Sequence, residues 1–177
     1  ATGYHSALQQ RMLPWGSFQA HQFNMEVFSH ISHESLRAST FLAETLGEPE
    51  WCKGTGERFT HRTALAPNVS SALIFGAESQ GTTPWYGNVF NEGTAAGGMF
   101  RVNPVFIKIL KDHGKYNQEI LREVLDNNGS VQDLDFLTDL EKEVLKTAFE
   151  ITQTEIINSA SRRQRFICQG QSTNLFF

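Results

Sequence analysis

Residues 63–74 have the sequence Thr-Ala-Leu-Ala-Pro-Asn-Val-Ser-Ser-Ala-Leu-Ile, which is the most informative stretch of the chain. A short apolar run leads into a loop of Pro, Asn and Ser, and a second apolar run follows. The pattern predicts a strand over residues 61–66 that turns into a helix. Free backbone N–H groups and hydroxyls at a helix start, with the positive end of the helix dipole, suit a phosphate. The alternative is an ordinary turn in which Asn68 or Ser70 only caps the helix, and the residues alone favour it.

Three further stretches carry a resemblance to a known family. Residues 1–6 are Ala-Thr-Gly-Tyr-His-Ser, residues 129–138 are Gly-Ser-Val-Gln-Asp-Leu-Asp-Phe-Leu-Thr, and residues 169–176 are Gln-Gly-Gln-Ser-Thr-Asn-Leu-Phe. Together with the loop they resemble the large, catalytic subunit of class I ribonucleoside-diphosphate reductases of bacteria and their large phages. The resemblance spans nearly all of residues 1–177. It implies one segment from the C-terminal half of that subunit, with an α/β fold: a helix-rich part of a ten-stranded α/β barrel, incomplete on its own.

The resemblance also implies a substrate site. Residues 67–71 align without a gap with the loop that binds the substrate phosphates in that family, and one departure follows it, Leu73, where the family often carries Gln. The implied phosphate-binding residues are Ala66, Pro67, Asn68, Val69, Ser70, Ser71 and Ala72. The amides of residues 69–72 and the hydroxyls of Ser70 and Ser71 are expected to fix the diphosphate of a ribonucleoside diphosphate.

No catalytic residue is assigned in this chain. The family's chemistry needs three cysteines in the barrel, and the chain has two, Cys52 and Cys168, neither of them in an Asn-x-Cys-x-Glu motif. The paired tyrosines that relay the radical and the mobile C-terminal cysteine pair are also absent. The isolated chain is therefore expected to be inactive and to bind no cofactor. The assembled enzyme would need the remaining segments of the large subunit, a radical-generating small subunit, and thioredoxin or glutaredoxin.

Composition narrows the function classes. The 177 residues are 40% hydrophobic, which is enough for one core, and the net charge of -4 disfavours a nucleic-acid partner. No apolar run approaches the roughly 20 residues of a membrane span, so a cytoplasmic protein with two free thiols is expected. His30 and His33 lie at helical spacing with Glu26, but without a further ligand they predict no metal site.

Local patterns predict a helix-rich chain. Helices are expected over residues 4–13, 18–46, 104–114 and 120–126, and a capping box at Thr138 is expected to start a helix that reaches residue 161. A strand is expected over residues 171–177, whereas residues 77–100 are expected to be irregular. Cys168 is expected to be buried. The loop around Trp85 is expected either to line a pocket or to anchor itself to the core.

The function expected from these observations is radical reduction of ribonucleotides to deoxyribonucleotides by an assembly in which this chain binds the substrate diphosphate. Two alternatives remain open: a non-catalytic remnant of a broken gene, and a stand-alone phosphate-binding or regulatory domain.

Overall fold

The computed structural model describes residues 1–76, 78–94 and 97–177. A short 3-10 helix, Glu50–Cys52, follows the longest helix. The other elements, in chain order, are α1 (Tyr4–Gln10), α2 (Phe18–Leu46), α3 (Val69–Ile74), β1 (Val89–Thr94), β2 (Gly97–Val102), α4 (Pro104–Asp112), α5 (Gln118–Asp126), α6 (Asp139–Val144) and α7 (Gln153–Gln164).

The predicted helix starts are confirmed where a capping residue marks them. The Ser17 hydroxyl accepts a hydrogen bond from the Ala20 amide and begins α2, which ends before Gly47. Asn103 caps α4 by accepting from the Val105 amide, with proline at the first helical position. The capping box of Thr138 and Glu141 is present at the start of α6.

The prediction of one helix to residue 161 is wrong. Helix α6 ends at Val144, and α7 begins only at Gln153. Between them, the Thr147 amide donates to the Glu150 carboxylate at 2.7 Å, and Thr152 caps α7 by accepting from the Glu155 amide. Threonine hydroxyls and nearby carboxylates compete with the helical ladder for backbone donors. The interruption therefore has a local cause.

The prediction of an irregular segment over residues 77–100 is also wrong in its second half. Strands β1 and β2 form an antiparallel hairpin whose pairs run from Val89 with Val102 to Thr94 with Gly97. Gly93 near the end of β1, and Gly97 and Gly98 at the start of β2, hide the strand pattern in the sequence, because glycine is depleted in strands. Residues 77, 95 and 96 lie outside the described residues.

The two predicted strands at residues 61–66 and 171–177 are reduced to a parallel bridge between Leu65 and Gln171. The Leu65 amide donates to the Gly170 carbonyl at 3.2 Å, and the Ser172 amide donates to the Leu65 carbonyl at 2.9 Å. The predicted runs therefore do meet as parallel neighbours, but neither is a regular strand, because a ladder needs several consecutive pairs.

Two apolar clusters form the interior. The helix-hairpin core consists of Val89, Val105, Phe106, Ile109, Leu110, Leu121, Val124, Val131, Leu134, Leu137 and Leu145. The loop core consists of Tyr4, Leu8, Trp15, Ala20, Phe28, Leu65, Ile151, Ile156 and Ile167. The second cluster joins α1, α2 and α7 to the residue that precedes the candidate loop.

The apolar face predicted for α2 is only partly correct. Phe28 is buried, but Phe18 is 77% exposed and Ile31 is 38% exposed. Helix α7 packs across α2, and the Asn24 side chain donates to the Ser159 carbonyl at 2.8 Å. Asn24 and Ser159 are thus buried polar residues between these helices, and a hydrophobicity pattern does not detect such a contact.

Candidate phosphate-binding site

The loop at residues 66–72 begins directly after the bridge at Leu65 and leads into α3. Asn68 adopts the left-handed conformation with φ 54° and ψ 40°, which asparagine tolerates better than most residues. Its side-chain nitrogen donates to the carbonyl of Ala1 at 2.8 Å and makes no capping bond to the helix. The interpretation of Asn68 as a side-chain cap is therefore wrong.

The start of α3 is accessible. Pro67, Val69, Ser70 and Ser71 are exposed, whereas Ala72 is fully buried. The Ala72 amide donates to the Asn68 carbonyl at 3.0 Å and is already used within the helix. The amides of residues 69–71 belong to the first turn of an α-helix, which has no intrahelical acceptor for them. This turn presents backbone donors and two hydroxyls to solvent.

Gly81 packs directly against the backbone of the loop and is called its support below. Its φ is +52°, and a Cβ at this position would lie 2.9 Å from the Pro67 carbonyl oxygen and 3.0 Å from that of Ala66. The Gly81 carbonyl accepts from the Tyr4 amide at 3.3 Å, so the support is fixed to the start of α1. Gly81 is not among the residues that the sequence predicts for the site. A glycine within a segment expected to be irregular gives no sign of which backbone it approaches.

A buried cation lies behind the same support. The guanidinium of Arg163 on α7 is 1% exposed, and burial lowers the pKa of Arg163 to about 10, so it keeps its charge at neutral pH. Burial also raises the pKa of neighbouring Tyr4 to about 12, which keeps the phenol neutral.

The expectation that Cys168 is buried is wrong. Cys168 is exposed, and its sulfur accepts hydrogen bonds from the amides of Arg62 at 3.0 Å and Thr63 at 3.1 Å. The Thr63 amide, with the Arg62 amide adding to it, lowers the pKa of the Cys168 thiol against the opposing effect of desolvation. Cys52 is buried, and both cysteines are free.

The loop around Trp85 has both of the roles expected as alternatives, since it is anchored to the core and also lines a cavity. Trp85 is buried, its amide donates to Nδ1 of His5 at 2.9 Å, and its carbonyl accepts from the Ala148 amide at 2.7 Å. The next residue, Tyr86, lines a shallow surface cavity together with Phe90. Trp85 therefore anchors the loop and Tyr86 contributes to a cavity wall.

Comparison with known proteins decides the family. The family model described as the barrel domain of ribonucleotide reductase matches residues 49–177. The chain belongs to this family. It is 38% identical over 180 residues to the ribonucleoside-diphosphate reductase large subunit of Invertebrate iridescent virus 3, covering 100% of this chain and 29% of the viral protein. It is 35% identical over 178 residues to the large subunit of Invertebrate iridescent virus 6, covering 98% of this chain and 19% of that protein.

A solved structure extends the ribonucleotide reductase similarity to the fold. The class Id ribonucleotide reductase alpha subunit of Actinobacillus ureae superposes with a TM-score of 0.89 at 41% identity, covering 98% of this chain and 32% of that one. The family and this neighbour fit the predicted α/β fold. The chain thus spans less than a third of the length of the relatives it matches, and the similarity includes α1 and α2, which precede the family-model match.

Two features are absent from residues 1–76, 78–94 and 97–177. None of their helices is long and apolar enough to cross a membrane. Within the same residues, no group of three or more His, Cys, Asp and Glu side chains converges as a metal-ligand set.

Proposed function

We propose that residues 1–177 are a single segment of the barrel domain of a ribonucleoside-diphosphate reductase large subunit. In this proposal the segment contributes binding of the substrate diphosphate to the radical reduction of ribonucleotides. The support is the family membership, together with similarity to large subunits along essentially the whole chain.

The observation that carries the proposal is the start of α3. Ser70 and Ser71 are exposed there beside first-turn amides, and the Asn68 side chain makes no capping bond to the helix. Amides at a helix start and hydroxyls together bind an anion well. A diphosphate held there would fix the position of the attached ribose, which is how an enzyme converts binding into orientation at a reacting group. The reacting groups themselves lie outside this chain.

The remaining parts of the proposal concern assembly. The parallel pairing of Leu65 with Gln171 supports the assignment of these runs to neighbouring strands of a ten-stranded barrel. The other strands would come from the remaining segments of the large subunit. The assembled enzyme would act in the cytoplasm with a radical-generating small subunit and with thioredoxin or glutaredoxin as reductant.

The exposed apolar side chains disfavour a stand-alone domain. Ile74 and Phe75 are adjacent in the chain and are 81% and 70% exposed, and Trp51 is 89% exposed. Contiguous exposed apolar groups are typical of surfaces that another chain or segment covers. A stand-alone domain would leave them in water.

The test is a double substitution, Ser70→Ala with Ser71→Ala, in the large subunit assembled with its small subunit. A hydrogen bond to a charged group contributes about 1.5 to 3 kcal/mol, so the KM for a ribonucleoside diphosphate should rise at least roughly tenfold. Ser161→Ala, an exposed serine on α7, is the matched control and should leave KM unchanged. An unchanged KM and turnover in the double variant would reject the assignment of the loop.

A further inference from the structure

We infer that Arg163 is a positioning residue that ties together two supports of the phosphate loop, an inference that rests on the function proposed for that loop. The two supports are the segment that carries Gly81 and the extended run that carries Gln171. One side chain reaches both of them.

The surroundings of Arg163 require an explanation. A guanidinium that is 1% exposed loses nearly all of its hydration, which is unfavourable unless its donors are satisfied. Its hydrogen-bond acceptors among the described residues are neutral. Nε donates to Gln171 Oε1 at 2.7 Å, Nη1 to Ser159 Oγ at 3.3 Å, and Nη2 to Thr82 Oγ1 at 3.1 Å.

The aromatic rings of Tyr4 and Phe28 complete the surroundings. Their centroids lie 5.8 and 5.7 Å from the guanidinium carbon, within the range of a cation–π interaction. These rings stabilise the charge without accepting a strong, directional hydrogen bond. The directional contacts of Arg163 are therefore the ones to Thr82, Ser159 and Gln171.

The contact to Thr82 connects Arg163 to the segment that packs against the loop. Thr82 follows Gly81, whose backbone lies against the carbonyls of Ala66 and Pro67. The hydrogen bond that holds the Thr82 hydroxyl therefore also holds the Gly81 backbone in place against the carbonyls of Ala66 and Pro67.

The contact to Gln171 connects Arg163 to the residue that precedes the loop. Gln171 pairs with Leu65, the residue immediately before the loop. Its side-chain nitrogen also donates to the Ala160 carbonyl at 2.9 Å, so its amide group is oriented by α7. The run that pairs with the entry to the loop, and the segment that carries Gly81, are thus both bonded to Arg163.

The need for such a tie follows from the length of α3. A helix of six residues has little stability of its own, so its direction depends on what surrounds it. An arginine fork with fixed donor directions bonds two separate acceptors at once, whereas a lysine ammonium is a point charge on a flexible stem. The charge is kept in Arg163→Lys, but the two-point connection is lost.

The experiment compares Arg163→Lys and Thr82→Val in the assembled large subunit, with Arg162→Lys as the matched control on an exposed neighbour. Losing one directional bond should raise the KM for a ribonucleoside diphosphate by roughly fivefold to tenfold. The kcat at saturating substrate should change by less than about twofold, because the reacting groups are untouched. The control should leave both constants unchanged.

A double-mutant cycle gives a second readout. If Arg163 acts through Thr82, the KM of the double variant should match that of Arg163→Lys alone instead of multiplying the two effects. A KM that stays at the wild-type value in folded Arg163→Lys and Thr82→Val would overturn the inference. If Arg163→Lys fails to fold, Thr82→Val decides it alone.

The Ser70→Ala, Ser71→Ala variant is measured beside these variants to separate the two proposals. If the serine variant leaves KM unchanged, the loop assignment fails, and the inference about Arg163 fails with it. If the serine variant raises KM and the Arg163 and Thr82 variants do not, the loop assignment stands and the positioning role is rejected.

Discussion

The helix-hairpin half, residues 88–150, and the loop half, residues 1–87 and 151–177, are held together in different ways. The first encloses a continuous apolar cluster, with α5 packed on β1. The second combines the loop core with polar contacts between residues distant in sequence, such as Asn68 with Ala1 and Arg163 with Thr82. The candidate site lies in the half whose geometry depends on these distant contacts.

The difference has a functional consequence. An apolar cluster tolerates small shifts as long as its volume is filled, whereas a hydrogen-bonded arrangement fixes positions. A site that must hold a diphosphate in one place is better supported by the second kind of contact. We therefore expect substitutions in the helix-hairpin half to change stability, and substitutions in the loop half to change substrate binding.

The largest expected effect is on stability. Phe106 is fully buried in the helix-hairpin core, and Phe106→Ala should lower the free energy of unfolding by about 3 to 5 kcal/mol through lost burial and a cavity. Phe41→Ala, at a residue that is 63% exposed, is the control and should change it by less than about 0.5 kcal/mol. Urea denaturation measures both. A folded Phe106→Ala variant that raised KM as much as the Ser70→Ala, Ser71→Ala variant would contradict the expected difference between the halves.

A second effect appears at acidic pH, at a buried histidine inside the loop half. His5 is buried, burial lowers its pKa to about 3, and its Nδ1 accepts from the Trp85 amide. The unfolded state, with a histidine pKa near 6.5, binds the proton more readily. Stability from this residue is therefore complete above about pH 6.5 and falls by about 1.4 kcal/mol per pH unit towards pH 3.

Denaturation curves at several pH values measure this dependence. His5→Gln removes the titration while keeping a hydrogen-bonding side chain, so the variant should show a flatter dependence between pH 6.5 and 4. An equal slope in both proteins would mean that His5 is not the group responsible.

Local sequence signals predicted several helix starts, because a helix start depends on near neighbours, but they did not predict the break between α6 and α7. Ser17, Asn103 and Thr138 cap helices through amides two or three residues away, and each start was predictable. The support at Gly81 and the tie at Arg163 were not predicted, because their partners lie far along the chain. For the loop itself, the resemblance to a family supplied the assignment, since its residues alone favoured an ordinary turn.

A smaller effect distinguishes contact from strain at the loop. Gly81→Ala places a Cβ against the Pro67 carbonyl at a positive φ, and it should cost about 1 to 2 kcal/mol and raise KM several-fold. Gly114→Ala is the matched control, because Gly114 has a φ of +64° and nothing within 4 Å of the added Cβ. It should lower stability by about 1 kcal/mol and leave KM unchanged. Equal changes in KM for both variants would show that strain, and not the contact with the loop, controls binding.

The smallest expected effect concerns the cysteines. Cys168 is exposed beside amides that lower its pKa, whereas Cys52 is buried, so iodoacetamide should label Cys168 at least roughly tenfold faster. Mass spectrometry of the labelled chain measures the two rates, and Cys168→Ser should remove the fast phase.

Since neither thiol lies in a motif of the family's radical chemistry, Cys168→Ser combined with Cys52→Ser should keep most of the turnover in the assembled enzyme. The Cys168 sulfur accepts hydrogen bonds from two amides of the run that leads to the loop, and a serine hydroxyl is also an acceptor. The KM of Cys168→Ser should therefore change less than that of Gly81→Ala. Loss of turnover in a folded double variant would show that one of these thiols takes part in the chemistry, and the loop half would then supply more than substrate binding.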